Sequence, residues 1–153
     1  MGRTKRKSIE YTRIKGGDGG SASFVMLYET LLKNPNFQKL DLSLQKFYIA
    51  CLSQWQSKQG RATLYKHREE SGTNYSLYCF CFPSRHLQEY GYDRSNGSKY
   101  LGDLIALGLI RKVEDNKIRK KVNVFEFLDG WNTLPEKWEA LKQAKSKKKA
   151  GSN

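Results

Sequence analysis

Apolar positions along the chain recur at three- and four-residue spacing in some stretches and alternate in others, and their order predicts a succession of elements. Leu44, Phe47, Tyr48, Cys51, Leu52 and Trp55 define one broad apolar face, so a helix capped by Asp41 or Ser43 is expected there as the core anchor. Tyr75 to Phe82 alternates and is rich in aromatics, which predicts a strand. Pro83-Ser84 then opens a short helix, Ser84 to Tyr90, with Leu87 and Tyr90 inward and Gly91 suited to the left-handed position after its end. Tyr100, Leu101, Leu104, Ile105 and Leu107 carry a second helix stopped by Gly108. Asp93 is the expected cap, with Ser95 competing, so this helix starts near Arg94 or Asn96. Beyond it, Leu109 to Val113 reads as a strand, Glu114 to Lys117 as a turn, and Lys121 to Phe127 as the return strand, with Val122, Val124 and Glu126 on one face.

The flanks are patterned less strongly. Residues 1–23 contain Gly16-Gly17-Asp18-Gly19-Gly20 and too little apolar surface to fold alone, so a basic flexible arm is expected. Phe24 to Tyr28 begins the fold, and any helix over Glu29 to Lys33 ends at Asn34-Pro35. Residues 57–74 read as a charged, turn-rich insertion with room for one short helix. Thr133-Leu134-Pro135-Glu136 reads as a capping box opening a helix with Trp138 and Leu141, which is expected to fray from Lys145 onward, while Trp131 pins its start. The chain thus divides into an arm (1–23), a folded domain (24–131) and a C-terminal helix with a basic tail (132–153).

A strand, two helices separated by a glycine turn, and a basic hairpin suggest a winged helix-turn-helix, an α+β fold with a small antiparallel sheet, here extended by a C-terminal helix. The stretches "LYETLLKNPNFQKLDLSLQKFYIACL", "FCFPSRHLQEYGYDRSNGSKYLGDLIALGLIRKV" and "NVFEFLDGW" together resemble the winged-helix domains of replication-initiator and replisome-organiser proteins of bacterial plasmids, phages and conjugative elements, over residues 24–131. The resemblance implies double-stranded DNA as partner, a role in replication or transfer of a mobile element, and recruitment of host replication or conjugation proteins. Gly97 and Gly102 depart from it, since each interrupts the expected recognition helix at up to about 1 kcal/mol relative to Ala.

Charge points to the same class of partner. The chain holds 28 Lys and Arg against 15 Asp and Glu, a formal +13, of which +4 lies in residues 1–23, +5 in 24–130 and +4 in 131–153. With Leu101, Leu104 and Ile105 turned inward, a helical wheel puts Asn96, Lys99 and Asp103 on the opposite face. Arg94, Ser95, Asn96, Ser98 and Lys99 are therefore the candidate groove residues, with Asn96 able to pair with adenine and Lys99 with guanine or phosphate. Arg111, Lys112, Lys117, Arg119, Lys120 and Lys121 surround the hairpin as phosphate or minor-groove candidates. Ser84 and Arg85 on the first helix, and Arg3, Lys5, Arg6 and Lys7 in the arm, complete the expected contacts. Solvated polar faces and edge-strand protection by lysine are the competing readings of these residues.

Candidate chemistry is sparse. Cys51, Cys79 and Cys81 are an odd set with no leader before them, which favours free thiols in a cytoplasmic protein, and the resemblance implies association with nucleoid or plasmid. Cys79 and Cys81, with His67 or His86, have narrower spacing than usual zinc pairs, so neither metal nor cofactor is expected. Tyr75 and Tyr78 are the two tyrosines open to a base-stacking role. No catalytic triad, phosphate-binding loop or membrane span is apparent, and the expectation is a noncatalytic, sequence-selective duplex-DNA binder in replication initiation. A relaxosome accessory or transcriptional repressor would use the same surface. The rival from another class is a protein-interaction module, dimerising or docking through Phe24 to Tyr28 and the Trp138 helix.

Overall fold

The computed structural model describes residues 25–114 and 122–151. Within them the chain is α+β, in the order α1 (Glu29–Leu32), α2 (Pro35–Gln38), α3 (Leu42–Gln56), α4 (Lys58–Ser71), β1 (Cys79–Cys81), α5 (Ser84–Glu89), α6 (Arg94–Ala106), β2 (Ile110–Glu114), β3 (Val124–Phe127), a single 3-10 turn (Trp131–Thr133) and α7 (Leu134–Ala150). The three strands form one antiparallel sheet in the order β1-β3-β2. Phe80 pairs with Phe125 and Ile110 with Phe127, and the β2 register shifts between Lys112 and Glu114.

Helix α3 is the centre of the core. Of its predicted face Leu44, Phe47, Tyr48 and Cys51 are buried and Leu52 and Trp55 are half-buried, while Ala50 and Gln54 join the buried set. Phe47 is fully buried and meets the rings of Phe82, Tyr92 and Tyr100 at 6.0, 5.0 and 5.2 Å between centroids. Tyr48 meets Phe37, Phe127 and Trp131 at 6.2, 5.7 and 5.4 Å. Two adjacent rings therefore gather two different sets of elements. Burying one such side chain is worth about 1.5–3 kcal/mol, before the added gain of aromatic edge contacts.

The sheet is covered on both faces. Phe80, Phe125 and Ile110 point into the main core, with Phe127 packed against it. Cys79, Cys81 and Val124 form a second, smaller cluster with Leu64 of α4, Tyr75, Val113 and Val122. All three cysteines are free and buried. Helix α4 corrects the expected turn-rich insertion: it is a continuous 14-residue helix, capped by Ser57, whose Oγ accepts from the Gly60 amide at 2.9 Å, and ended by Gly72 at φ +69°. Gly60 and His67 are its buried residues, so its inner face lacks an apolar stripe that periodicity could reveal.

The C-terminal helix also differs from expectation. Thr133 makes no capping bond; its hydroxyl donates to the Gly130 carbonyl, and α7 continues straight out of the 3-10 turn. Rather than fraying at Lys145, α7 runs to Ala150. Leu134 and Trp138 are buried in the main core, and the Asn36 side-chain amide donates to the Trp131 carbonyl at 2.7 Å, which ties the turn to α2. A Cβ on Gly130 would lie 2.1 Å from the Gly108 carbonyl oxygen, so only glycine lets the loop into α7 pass the loop out of α6. That crossing sets α7 alongside α6. The strand predicted over Tyr75 to Phe82 shortens to Cys79–Cys81, and Tyr75 to Leu77 form the lead-in.

His86 is the buried polar group that the apolar pattern of α5 missed. It is fully buried; its Nδ1 accepts from the Gln54 Nε2, at 2.6 Å, which also donates to the Cys81 carbonyl at 2.9 Å. The Nε2 has no hydrogen-bond partner among the described residues. Burial, then the neighbouring Arg85, push its pKa below the ordinary histidine value of 6.5, with Glu89 opposing. The unfolded chain consequently binds a proton at a pH where the folded chain does not, so stability is full above the ordinary value and falls as pH drops through the depressed one. Denaturation midpoints should therefore decline from pH 7 to pH 5 in the wild type, and more steeply than in His86→Asn, whose amide oxygen can still accept from Gln54. Parallel pH profiles for the two proteins would refute the assignment.

Candidate nucleic-acid interface

Helices α5 and α6 are held at close range by composition at one point. Gly97 on α6 is buried, and a Cβ there would lie 2.6 Å from a Leu87 methyl of α5. Gly91, at φ +85°, lets the chain turn between them, and the Tyr92 amide returns to the Leu87 carbonyl at 3.0 Å. Asp93 caps α6 as expected: its Oδ1 accepts from the Asn96 amide at 2.7 Å and its Oδ2 from the Asn96 side chain at 3.2 Å.

The outward side of α6 follows from this packing and differs from the expected wheel. Gly97, Leu101, Asp103, Leu104 and Leu107 are buried, whereas Ile105, expected inward, is 36% exposed. Asp103, expected on the outer face, is 9% exposed, and its carboxylate accepts from Lys145 Nζ of α7 at 2.8 Å. The physical reason is that α6 has two flanking neighbours, α5 at Gly97 and α7 at Asp103, and these jointly turn it. Ser95, Ser98, Lys99, Gly102 and Ala106 then form the exposed row at three- and four-residue spacing, with Arg94 exposed at its start. Asn96 is exposed, but its amide is committed to Asp93, so it stands at the flank of the row rather than at its centre. A Cβ on Gly102 would meet nothing within 4 Å, so this glycine opens the surface where Gly97 closes the core.

Around this row the structure distributes the remaining candidates unevenly. Ser84 and Arg85 are exposed on the first turn of α5. Arg111 is exposed yet bound: its Nε lies 2.9 Å from Glu126 Oε1, and the Ser76 hydroxyl donates to the other carboxylate oxygen at 2.8 Å. These bonds push the Glu126 pKa down and the Arg111 pKa up. Arg111 therefore lies on the sheet face that carries Cys79 and faces α4. Lys112, on the alternate face of β2, is exposed. Lys117, Arg119, Lys120 and Lys121, and Arg3, Lys5, Arg6 and Lys7, lie outside the described residues.

Helix α7 was expected, but its continuation past Lys145 and its contact with α6 were not. It carries Lys137, Lys142, Lys145, Lys147, Lys148 and Lys149 against Glu136 and Glu139, and Lys145 fixes its basic half against α6. The signal was available in its run of Ala, Leu, Lys, Glu and Gln, all strong helix formers. Burial raises the Cys51 and Cys79 pKa values, which keeps both thiols protonated. Among the described residues no group of three or more His, Cys, Asp or Glu is placed to hold a metal ion, and no helix is long and apolar enough to cross a membrane. Comparison with protein-family models, with curated proteins and with solved structures finds no match to this chain.

The two glycines of α6 should respond oppositely to the same substitution. Gly97→Ala forces Leu87 aside and should lower stability by about 1–3 kcal/mol, the usual range for overpacking, whereas Gly102→Ala should raise it by up to about 1 kcal/mol through helix propensity. Urea denaturation of the two variants checks this, and equal shifts would contradict the packing described.

Proposed function

We propose that this chain is a noncatalytic, sequence-selective binder of double-stranded DNA with a winged helix-turn-helix architecture. The element order supports the architecture: α3, β1, the α5–α6 pair and the β2–β3 hairpin correspond to the anchor helix, first strand, helix-turn-helix and wing of that fold, and the order β1-β3-β2 places the return strand centrally. On this reading α6 is the recognition helix.

The observation that carries the proposal is the withdrawal of Asp103. With its carboxylate held by Lys145, the exposed row of α6 presents Arg94 and Lys99 among Ser95, Ser98, Gly102 and Ala106, with no carboxylate in it. An α-helix about 10–12 Å across fits a major groove about 12 Å wide. Small side chains let its backbone approach base edges, and serine hydroxyls can donate or accept there. Lys99 and Arg94 reach guanine acceptors or phosphate, and the lysines of α7 together with Lys112 suit the flanking phosphates. A role in replication initiation of a mobile element is the part of the proposal that rests on the resemblance of residues 24–131 to initiator and replisome-organiser domains. Relaxosome or repressor roles use the same surface.

One observation favours a protein-interaction reading beside it. Met26, Tyr28, Leu32 and Leu42 are exposed by 63, 76, 45 and 81%, an apolar set suited to a second copy or a host protein. Salt separates the two, because phosphate neutralisation makes affinity fall steeply with ionic strength and an apolar interface does not.

Gly102→Gln tests the geometry without threatening the fold, since the new side chain has open space. It should leave thermal stability intact and weaken binding to a duplex recovered by random-library selection by at least about tenfold, a loss of about 1.4 kcal/mol. Lys99→Ala should reduce the slope of log affinity against log salt by about 1. Unchanged duplex affinity in Gly102→Gln, or a selection that returns no enriched sequence, would overturn the proposal.

A further inference from the structure

A cleft of about 500 Å³ lies away from α6, opening between α4, the end of α3 and the lead-in to β1. Strand β1 is one edge of the sheet, whereas α6 packs beside β2, the other edge. We propose that this cleft is a second nucleic-acid site, specific for an unpaired strand, which seats a base against its aromatic walls and the adjoining phosphates on Arg61 and Arg68.

Its walls have the chemistry such a ligand needs. Trp55, Leu64, Tyr65 and Tyr75 supply apolar and π surface, and Arg61 and Arg68 are its charged lining residues, with no carboxylate among them. Both arginines are exposed. They stand seven residues apart on α4, two turns or about 10 Å along the axis, with Tyr65 on the same side between them. Tyr65 and Leu77 of the lining are 62% and 87% exposed, and Tyr78, next in the chain, is 59% exposed, apolar surface that the fold itself does not cover.

The deeper rings are fixed in orientation. Trp55 donates its indole N–H to the Leu77 carbonyl at 2.8 Å and lies nearly parallel to Tyr78 at 6.5 Å between centroids. Tyr75 stacks on His67 at 6.0 Å. Cations alternating with exposed aromatic rings match a polymer that alternates negative charge with flat π faces. In a duplex those faces are buried in the stack, so the cleft selects the single strand. An acidic peptide would use the arginines but leave the aromatic walls without planar partners, which is why the strand is the favoured occupant.

This goes beyond the duplex reading, because the two surfaces share no residue and can be tested apart. The probe is a fluorescent oligo-dT of about 15 nucleotides, followed by anisotropy at about 0.15 M salt. Tyr65→Ala should weaken its binding by about tenfold, within the range measured for one lost stacking partner; Tyr65→Phe should retain it, and Arg61→Ala with Arg68→Ala should weaken it comparably. All three should bind duplex as the wild type does. Gly102→Gln should show the reverse pattern, so failure of one site is distinguishable from failure of the other. Because the three side chains are exposed, melting curves should match the wild type. Unchanged oligo-dT affinity in both the Tyr65→Ala and the arginine variants overturns the proposal. So does competition by free dTMP at the same nucleotide concentration as the oligomer, which marks a mononucleotide pocket. Loss of self-association in sedimentation without loss of oligo-dT binding marks a protein contact and overturns it equally.

Discussion

The fold depends on two adjacent rings of one helix. Phe47 and Tyr48 lie side by side on α3 and pull in different directions: Phe47 gathers Phe82, Tyr92 and Tyr100, which bracket the α5–α6 pair, while Tyr48 gathers Phe37, Phe127 and Trp131, which belong to α2, the central strand and the turn into α7. Because aromatic pairs favour edge and offset geometries, these contacts specify angles as well as proximity. Burial pushes the Tyr48 pKa up, so its hydroxyl stays neutral in this setting. The α5–α6 corner is thereby held against α3 from below, and the exposed row of α6 faces outward as a consequence.

Electrostatics then refine what packing exposes. A chain with a formal +13 still contains acids that would repel phosphate, and the two carried by α6 and its cap are engaged: Asp103 by Lys145, Asp93 by the amides that start α6. Glu126 is held at the far face of the sheet by Arg111 and Ser76. Neither carboxylate of α6 and its cap is thus left open beside the exposed Arg94 and Lys99. Helix α7 thus has two effects, since Trp138 anchors it in the core while Lys145 neutralises the carboxylate that would spoil the neighbouring helix.

Much of the fold was legible. The apolar face of α3, the Asp93 cap, the glycine stops at Gly91 and Gly108, and the alternation of Val124 and Phe125 all rest on interactions within a few residues, and the structure shows them in place. Helix α4 was not legible because its inner face consists of Gly60, His67 and Leu64, which give no stripe until the sheet is there to receive them. His86 was not legible as a core residue because nothing local announces that Gln54, 32 residues earlier, will meet its ring. Ile105 and Asp103 were exchanged on the wheel for a related reason: an apolar residue one step outside the contact arc looks inward by composition, and an acid just within it looks outward.

The sequence by itself determined where α3, α5 and α6 lie, the glycines that end the latter two, and the alternation of the return strand. Only the tertiary structure decided which side of α6 is presented, that Lys145 of α7 meets Asp103, and that a cleft lined by arginine and aromatic rings opens at the β1 edge. Periodicity defines the faces of a helix about its own axis, while the rotation it adopts is set by the sum of its neighbours, and for α6 those neighbours are Leu87 on one flank and Lys145 on the other. Contacts 10 residues and 42 residues away in the chain carry no local signature, so they become readable only when the chain is folded.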